Sequence, residues 1–218
     1  MRLFLASEVK NPPTFKKLEE CVGGFKGKKI AYIPTAANGQ GWGSWREGGS
    51  WKLAQTLEAE ITLLKLEDYW NKDVISNLEG KDIIWFAGGQ PGYLMYWIRR
   101  TQIDKHIRRI LGSGTWFVGS SAGAMIASNT LEIAEWYIGE SEHGASAIPG
   151  LGLVDFDIYP HYRETLLNGI KNGYSGKKMY LLKNGEEIIV EDDKVTVIGD
   201  ERIVLEKKPS VTISSLLK

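Results

Sequence analysis

The sequence predicts an α/β fold: a mostly parallel sheet with helices on both faces and a small antiparallel C-terminal extension. Three observations carry that expectation. Short apolar runs of strand length recur through the first half of the chain, separated by segments of helical character, which is how parallel strands with crossover helices read. The run Thr115-Trp116-Phe117-Val118 leads into Gly119-Ser120-Ser121-Ala122-Gly123 and then into small, helix-compatible residues, a strand, a sharp turn and a helix in succession. From Lys178 onward short strand-like runs follow one another directly.

The elements follow in order. Arg2 to Ser7 reads as a first strand and Thr14 to Cys21 as a helix, with a Gly/Lys-rich turn at Gly23 to Lys28. Lys29 to Pro34 forms a second strand, Ser50 to Glu60 a helix, Ile61 to Leu66 a third strand, Asn71 to Leu78 a short helix and Asp82 to Phe86 a fourth strand. The strand entering the Gly-x-Ser-x-Gly turn is then the fifth. Tyr93 to Arg100 reads as a helix opened by Pro91, which suits a first helical turn. Leu131 to Ile138 is expected as a strand, and Asp155 to His161 alternates polar and apolar residues as a strand would. Met179 to Leu182, Glu187 to Val190, Val195 to Ile198 and Arg202 to Leu205 complete the set, with Asn184-Gly185 as a hairpin turn signal.

At 218 residues the chain can bury a sizeable core and is expected to form one domain spanning 1–218. Its 27 Lys+Arg balance 27 Asp+Glu, and no basic block tracks a phosphate backbone, so no nucleic-acid partner is expected. Cys21 is the single cysteine, which excludes an internal disulfide or a multi-cysteine metal site and suits a reducing compartment. The N-terminal apolar stretch, Leu3 to Ala6, is too short for a signal peptide or a membrane span. A cytoplasmic protein without membrane contact is the expectation.

Chemistry centres on the pentapeptide. Two glycines allow a tightly bent backbone that presents the middle residue, Ser121 rather than Ser120, at a helix start. The amide of Ala122 is then placed to stabilise negative charge on a substrate oxygen attacked by Ser121. Gly88-Gly89, at the end of the fourth strand, would complete such an oxyanion hole if that strand lies beside the fifth. The loop Thr35 to Gly49 is rich in glycine and tryptophan but matches no dinucleotide or phosphate-loop pattern; it reads as a packed surface loop, the alternative being a mobile loop beside the site with Trp42 or Trp45 as a substrate wall.

A general base is needed, and the chain has three histidines. His106 falls on a charged helix face and His143 in a polar loop, whereas His161 follows a strand and a proline that fixes the local backbone. His161 is the choice. Asp157 shares its strand parity but lies roughly 13 Å away at the rise of a strand. The third, acidic member is sought among Glu132, Glu135, Glu140 and Glu142, with Glu135 chosen and Glu132 second.

Together these landmarks resemble the peptidase E and cyanophycinase family of serine peptidases, related in fold to class I glutamine amidotransferases. The resemblance rests on Ile33-Pro34-Thr35-Ala36-Ala37, the Gly88-Gly89 strand end, Gly119 to Ala124 and Pro160-His161-Tyr162. It implies a three-layer α/β/α fold, Ser121 as nucleophile, His161 as base, and backbone amides at Gly88 or Gly89 and Ala122 as oxyanion donors. It implies an acidic third member after the nucleophile helix, supporting Glu135, and a serine peptidase acting on small peptides without metal or cofactor. Family members often carry Gly-Gly-Asn-Thr where this chain has Gly88-Gly89-Gln90-Pro91, placing Gln90 where a substrate contact is expected. For aspartyl dipeptides, an arginine after the histidine would meet the substrate carboxylate, and Arg163 is the one present. The alternatives are a cyanophycinase-like β-aspartyl isopeptidase, an α/β-hydrolase esterase and a non-catalytic amidotransferase-like binding module. A monomer or homodimer is expected.

Overall fold

A computed structural model describes residues 1–137, 141–192 and 194–205. The chain alternates as the apolar runs require: β1 (Arg2–Ala6), α1 (Pro12–Val22), β2 (Lys29–Ile33), α2 (Thr35–Asn38), α3 (Gly49–Ala54), β3 (Glu60–Leu63), α4 (Ile75–Leu78) and β4 (Ile83–Phe86). Then come α5 (Pro91–Arg100), α6 (Ile103–Gly112), β5 (Trp116–Ser120), α7 (Ala122–Met125), α8 (Glu132–Trp136), β6 (Asp157–Tyr159), α9 (Leu167–Gly173), β7 (Lys178–Leu181), β8 (Glu187–Glu191), β9 (Lys194–Ile198) and β10 (Ile203–Leu205).

Seven strands form the main sheet in the order β3-β2-β4-β5-β1-β8-β9. The first five strands of the chain run parallel, and β8 and β9 extend that sheet antiparallel beyond β1. Because side chains alternate across a strand, each splits its residues between two cores. Leu3, Leu5, Ile84, Phe86 and Phe117 join α5, α6 and α7 on one face. Phe4, Tyr32, Trp85, Trp116 and Val118 meet Leu18 and Val22 of α1 on the other. The result is three layers, with both sheet faces covered. Truncating one of these buried aromatic rings to alanine would cost ~3–5 kcal/mol.

The sequence-based expectation needs two corrections. Residues 132–136 form a helix rather than a strand; Leu131 and Ala134, one helical turn apart, are both buried while Glu132 and Glu135 are not. Ile138 lies outside the described residues. Asn184-Gly185 joins no hairpin: β7 pairs with β6 and β10 in a separate three-stranded sheet, whereas β8 pairs with β1. The turn hands the chain from the small sheet to the main one, and because β8 is antiparallel to β1 it enters at the carboxyl edge of the parallel strands.

Candidate active site

That carboxyl edge is where open α/β sheets gather ligands, and β1, β4 and β5 lie side by side there. Ser121 follows β5 directly. Its backbone takes φ 53°, ψ −112°, a sparsely populated region for a residue with a side chain, at a cost of ~1–3 kcal/mol. Tight neighbours hold it: a Cβ on Gly119 would come 2.4 Å from the carbonyl oxygen of Gly123, and one on Gly123 2.2 Å from that of Phe86. Only glycines fit on either side of the bend. The Ser121 amide donates to the carbonyl of Ala6 at 2.9 Å, tying the bend to β1.

Ser120 and Ser121 have different tasks. The Ser120 hydroxyl is buried and accepts the Val9 amide at 3.1 Å. The Ser121 hydroxyl turns to the cleft, 3.0 Å from Nε2 of His161.

His161 also has a positive φ, 54°. The amide of Leu182 donates to the carbonyl of Tyr159, and the amide of Tyr162 donates to the carbonyl of Leu182, both at 2.9 Å. Pro160 and His161 are therefore looped out between two bonds to one residue of the neighbouring strand. Ser7, fully buried at the end of β1, accepts the His161 amide on its hydroxyl at 2.8 Å.

Asn184 lies two residues beyond Leu182. Its Oδ1 is 2.6 Å from His161 Nδ1 and accepts the Ser7 hydroxyl at 3.2 Å. An amide oxygen can only accept, so this contact places the imidazole proton on Nδ1 and leaves Nε2 free to take the Ser121 proton. Sequence reading missed Asn184. The signal available was the turn dipeptide before a strand re-entering the sheet, but a turn alone does not say which sheet follows.

Glu135 does not reach His161. It is on the solvent side of α8, where Oε1 accepts the amide and hydroxyl of Ser146 at 3.0 and 2.8 Å; those bonds, the amide's first, hold its carboxyl below the usual range. Glu132 accepts from the Ser175 hydroxyl at 2.7 Å. Glu142 caps α5, taking the amides of Gly92 and Tyr93 at 2.7 Å each. Glu140 lies outside the described residues. The expected carboxylate behind the histidine is replaced by a neutral amide from another element.

The glycines of β4 do come to the site, since β4 and β5 are neighbours. A Cβ on Gly88 would stand 3.3 Å from Cβ of Ser121 and 3.9 Å from its hydroxyl oxygen. The amides of Gly88, Gly89 and Ala122 carry no hydrogen bond to other described residues. Gln90 instead packs beside Gly39, outside the cleft lining. Arg163 is exposed and lines, with Tyr162, Glu164, Lys183 and Asn184, a neighbouring groove that adjoins the Ser121 cleft at His161, which borders both.

That cleft encloses about 280 Å³. Its walls include the glycine- and tryptophan-rich loop, as the alternative reading of that loop expects: Gln40, Ser44 and Trp45 line it, Trp45 being 7 % exposed and packed edge-on against Trp51. Trp42 is 68 % exposed and outside it. Glu8 and Lys10 line it from the segment after β1, their charges 3.1 Å apart. Among the described residues, no three His, Cys, Asp or Glu side chains gather as metal ligands would, and no helix is long and apolar enough to cross a membrane.

Residues 3–198 match the family model of peptidase family S51, and the chain belongs to that family of serine-type peptidases. It is 29% identical over 204 residues to an uncharacterized peptidase of Listeria monocytogenes, covering 88% of this chain and 96% of the relative. It is 27% identical over 199 residues to peptidase E of a Nostoc species, covering 83% of this chain and 76% of the relative. A solved structure of a Listeria monocytogenes protein assigned to peptidase E superposes with a TM-score of 0.74 at 25% identity, over 90% of this chain and 97% of that one. A peptidase from an acI-B1 actinobacterium, 19% identical, shares the fold with a TM-score of 0.68 over 95% of each chain.

Proposed function

We propose that this peptidase hydrolyses short peptides through an acyl-enzyme on Ser121, with His161 as general base and Asn184 as the group that orients the imidazole. The observation that carries this reading is the 3.0 Å contact between Ser121 Oγ and His161 Nε2 on a strained nucleophile bend. His161 takes the Ser121 proton as the hydroxyl attacks the peptide carbonyl. The amides of Ala122 and of Gly88 or Gly89 stabilise the oxyanion, and His161 returns the proton to the leaving amine. Water, activated by the same imidazole, then releases the acid. With an amide behind the histidine, the imidazolium is oriented but not neutralised, so Asn184 supplies tautomer control without the charge a carboxylate would add.

The cleft favours short substrates. Its volume of about 280 Å³ is at the lower limit of small-molecule sites, ~300 Å³. Lys10 suits an acidic side chain or terminal carboxylate, and Glu8 suits the α-ammonium of a free N-terminus. Aspartyl dipeptides fit this pair of charges, with Lys10 in the part the resemblance assigned to Arg163. A binding module that merely keeps the fold has no need of a strained serine held against an imidazole.

The test is a panel of aspartyl, glutamyl, β-aspartyl and neutral dipeptides, assayed for released amino acid with the wild-type chain and Ser121→Ala. Turnover of aspartyl dipeptides that Ser121→Ala abolishes supports the proposal. Turnover of β-aspartyl substrates alone favours the isopeptidase. Turnover that survives Ser121→Ala refutes the nucleophile assignment.

A further inference from the structure

The residue behind His161 belongs to an Asn-Gly pair, and that pair is chemically labile. An asparagine followed by glycine loses its side-chain amide when the next backbone nitrogen attacks Cγ, because glycine presents no side chain to hinder the approach; asparagine is thermolabile for this reason. The chain contains four such pairs: Asn38-Gly39, Asn168-Gly169, Asn172-Gly173 and Asn184-Gly185. Three of them are held in or against helices. Asn38 ends α2, with its side chain bonded to Glu67 and the Gly39 amide donating to Ala36 at 3.2 Å. Asn168 and Asn172 lie within α9, whose helical backbone points the following nitrogen away from the side chain.

Asn184-Gly185 alone occupies an exposed turn. The two residues are the centre of a four-residue turn closed by the Glu186 amide donating to the Lys183 carbonyl at 3.1 Å, with Gly185 at φ 93° in the third position that such turns reserve for glycine. Asn184 is exposed, and the Gly185 amide carries no hydrogen bond to another described residue. The Asn184 carbonyl is polarised as well: Oδ1 faces the Ser7 hydroxyl at 3.2 Å and His161 Nδ1 at 2.6 Å. Two donors on that oxygen stabilise the negative charge that builds there when Cγ is attacked, as an oxyanion hole does.

We propose that Asn184 is a self-modification site whose deamidation converts the Ser-His-Asn arrangement into Ser-His-Asp and raises the reactivity of Ser121. The Gly185 nitrogen forms a bond to Asn184 Cγ, the Cγ–Nδ2 bond breaks, and ammonia leaves with the proton of the Gly185 amide. Water then opens the five-membered imide. Attack at Cγ restores the backbone with an aspartate side chain, and attack at the main-chain carbonyl carbon gives isoaspartate. Asparagine and water become aspartate and ammonia, with no redox change and no other reactant. The aspartate places a full negative charge against Nδ1 of His161, which stabilises the imidazolium formed when Ser121 is deprotonated. This inference rests on the reading that Asn184 orients His161.

The test incubates the full chain in mildly alkaline buffer and follows two readouts. Peptide mapping by mass reports the exchange of NH₂ for OH at each Asn-Gly pair, chromatographic separation of the equal-mass aspartate and isoaspartate peptides against the Asn184→Asp peptide reports which product forms, and a denaturant-unfolded sample shows the rate when no pair is protected. Fluorophosphonate labelling reports the reactivity of Ser121. Expected is conversion at position 184 while Asn38, Asn168 and Asn172 stay intact, with a labelling rate that rises with the aspartate fraction toward that of Asn184→Asp. The gain expected is about 10-fold or more, set against the ~10⁴-fold that the reverse exchange costs in a trypsin-type triad. Asn184→Gln, whose longer side chain would need a six-membered ring, should show no mass change there. An intact Asn184 after the unfolded chain has converted all four pairs overturns the inference, and so does conversion to aspartate without faster labelling. Absence of labelling even in Asn184→Asp would instead overturn the assignment of Ser121 as nucleophile, which the mass readout keeps separate.

Discussion

Oδ1 of Asn184 lies 2.6 Å from Nδ1 of His161, while Ser121 Oγ lies 3.0 Å from Nε2 of the same ring. The imidazole is held from both nitrogens, one by the small sheet's exit turn and one by the end of β5. Ser7 connects these parts, accepting from the His161 backbone and donating to Asn184. With Ala6 accepting the Ser121 amide, all three site residues are tied to the end of β1 as well as to each other.

Removing the orienting amide should lower turnover and leave binding nearly intact. Asn184→Ala is expected to reduce kcat by about 10- to 10²-fold with KM little changed, because the imidazole then populates the wrong tautomer. Steady-state kinetics on the best dipeptide of the panel check this. A rise in KM with unchanged kcat would mean that Asn184 contacts substrate instead.

Glu135 spends its carboxylate on Ser146, on the exposed side of α8. Glu135→Ala should leave kcat/KM within about 2-fold of wild type and cost under ~1 kcal/mol of stability, the range for an exposed polar contact. A loss beyond about 10² in kcat would reinstate a carboxylate in the mechanism.

Lys10 tests the reading of specificity. Lys10→Ala is expected to raise KM for an aspartyl dipeptide by about 10-fold or more, the worth of a lost charge-assisted hydrogen bond, with a smaller effect on a neutral dipeptide. Equal losses on both substrates would point to lost packing against Gly49, where the Lys10 stem lies.

Glu187 is a structural liability with a defined pH dependence. Its side chain is 1 % exposed between β8 and α1, and burial raises its carboxyl to about 7 despite the Thr14 hydroxyl at 2.8 Å, which favours the ionised form. Below about 4.5 both folded and unfolded chains hold the proton. Between about 4.5 and 7 the folded chain keeps a proton that the unfolded chain has released, so this group's contribution to stability falls as pH rises and is fully lost above about 7. Glu187→Gln should accordingly raise the thermal midpoint above pH 7 and change it little near pH 4.5. A midpoint lowered equally at both pH values would show that the carboxylate is needed for packing.

The parts of the site legible in the sequence were those written in one stretch of chain. Gly119 to Gly123 encode the bend locally, Gly88-Gly89 follow from adjacent strands, and Pro160-His161 mark a rigid platform. What escaped was whatever depended on one sheet meeting the other. Asn184 reaches His161 only because β7 pairs with β6 while β8 crosses to β1, and a turn dipeptide is the same in a hairpin as in a crossover. Glu132, Glu135 and Glu142 all lie between the serine and the histidine in sequence, but presence in an interval carries no direction. Residues 132–136 are too few for helical and strand periods to be told apart, and of the two loop tryptophans that could wall a site, the packing of Trp45 against Trp51 selects Trp45.

The most direct measurement is intact-protein mass after treatment with a fluorophosphonate, followed by peptide mapping, in the wild-type chain and in His161→Ala. A stoichiometric adduct on Ser121 that is lost or strongly slowed in His161→Ala is the expected result. An adduct on another serine, or one on Ser121 that forms equally fast without His161, would contradict the assignment of Ser121 and His161 as nucleophile and base.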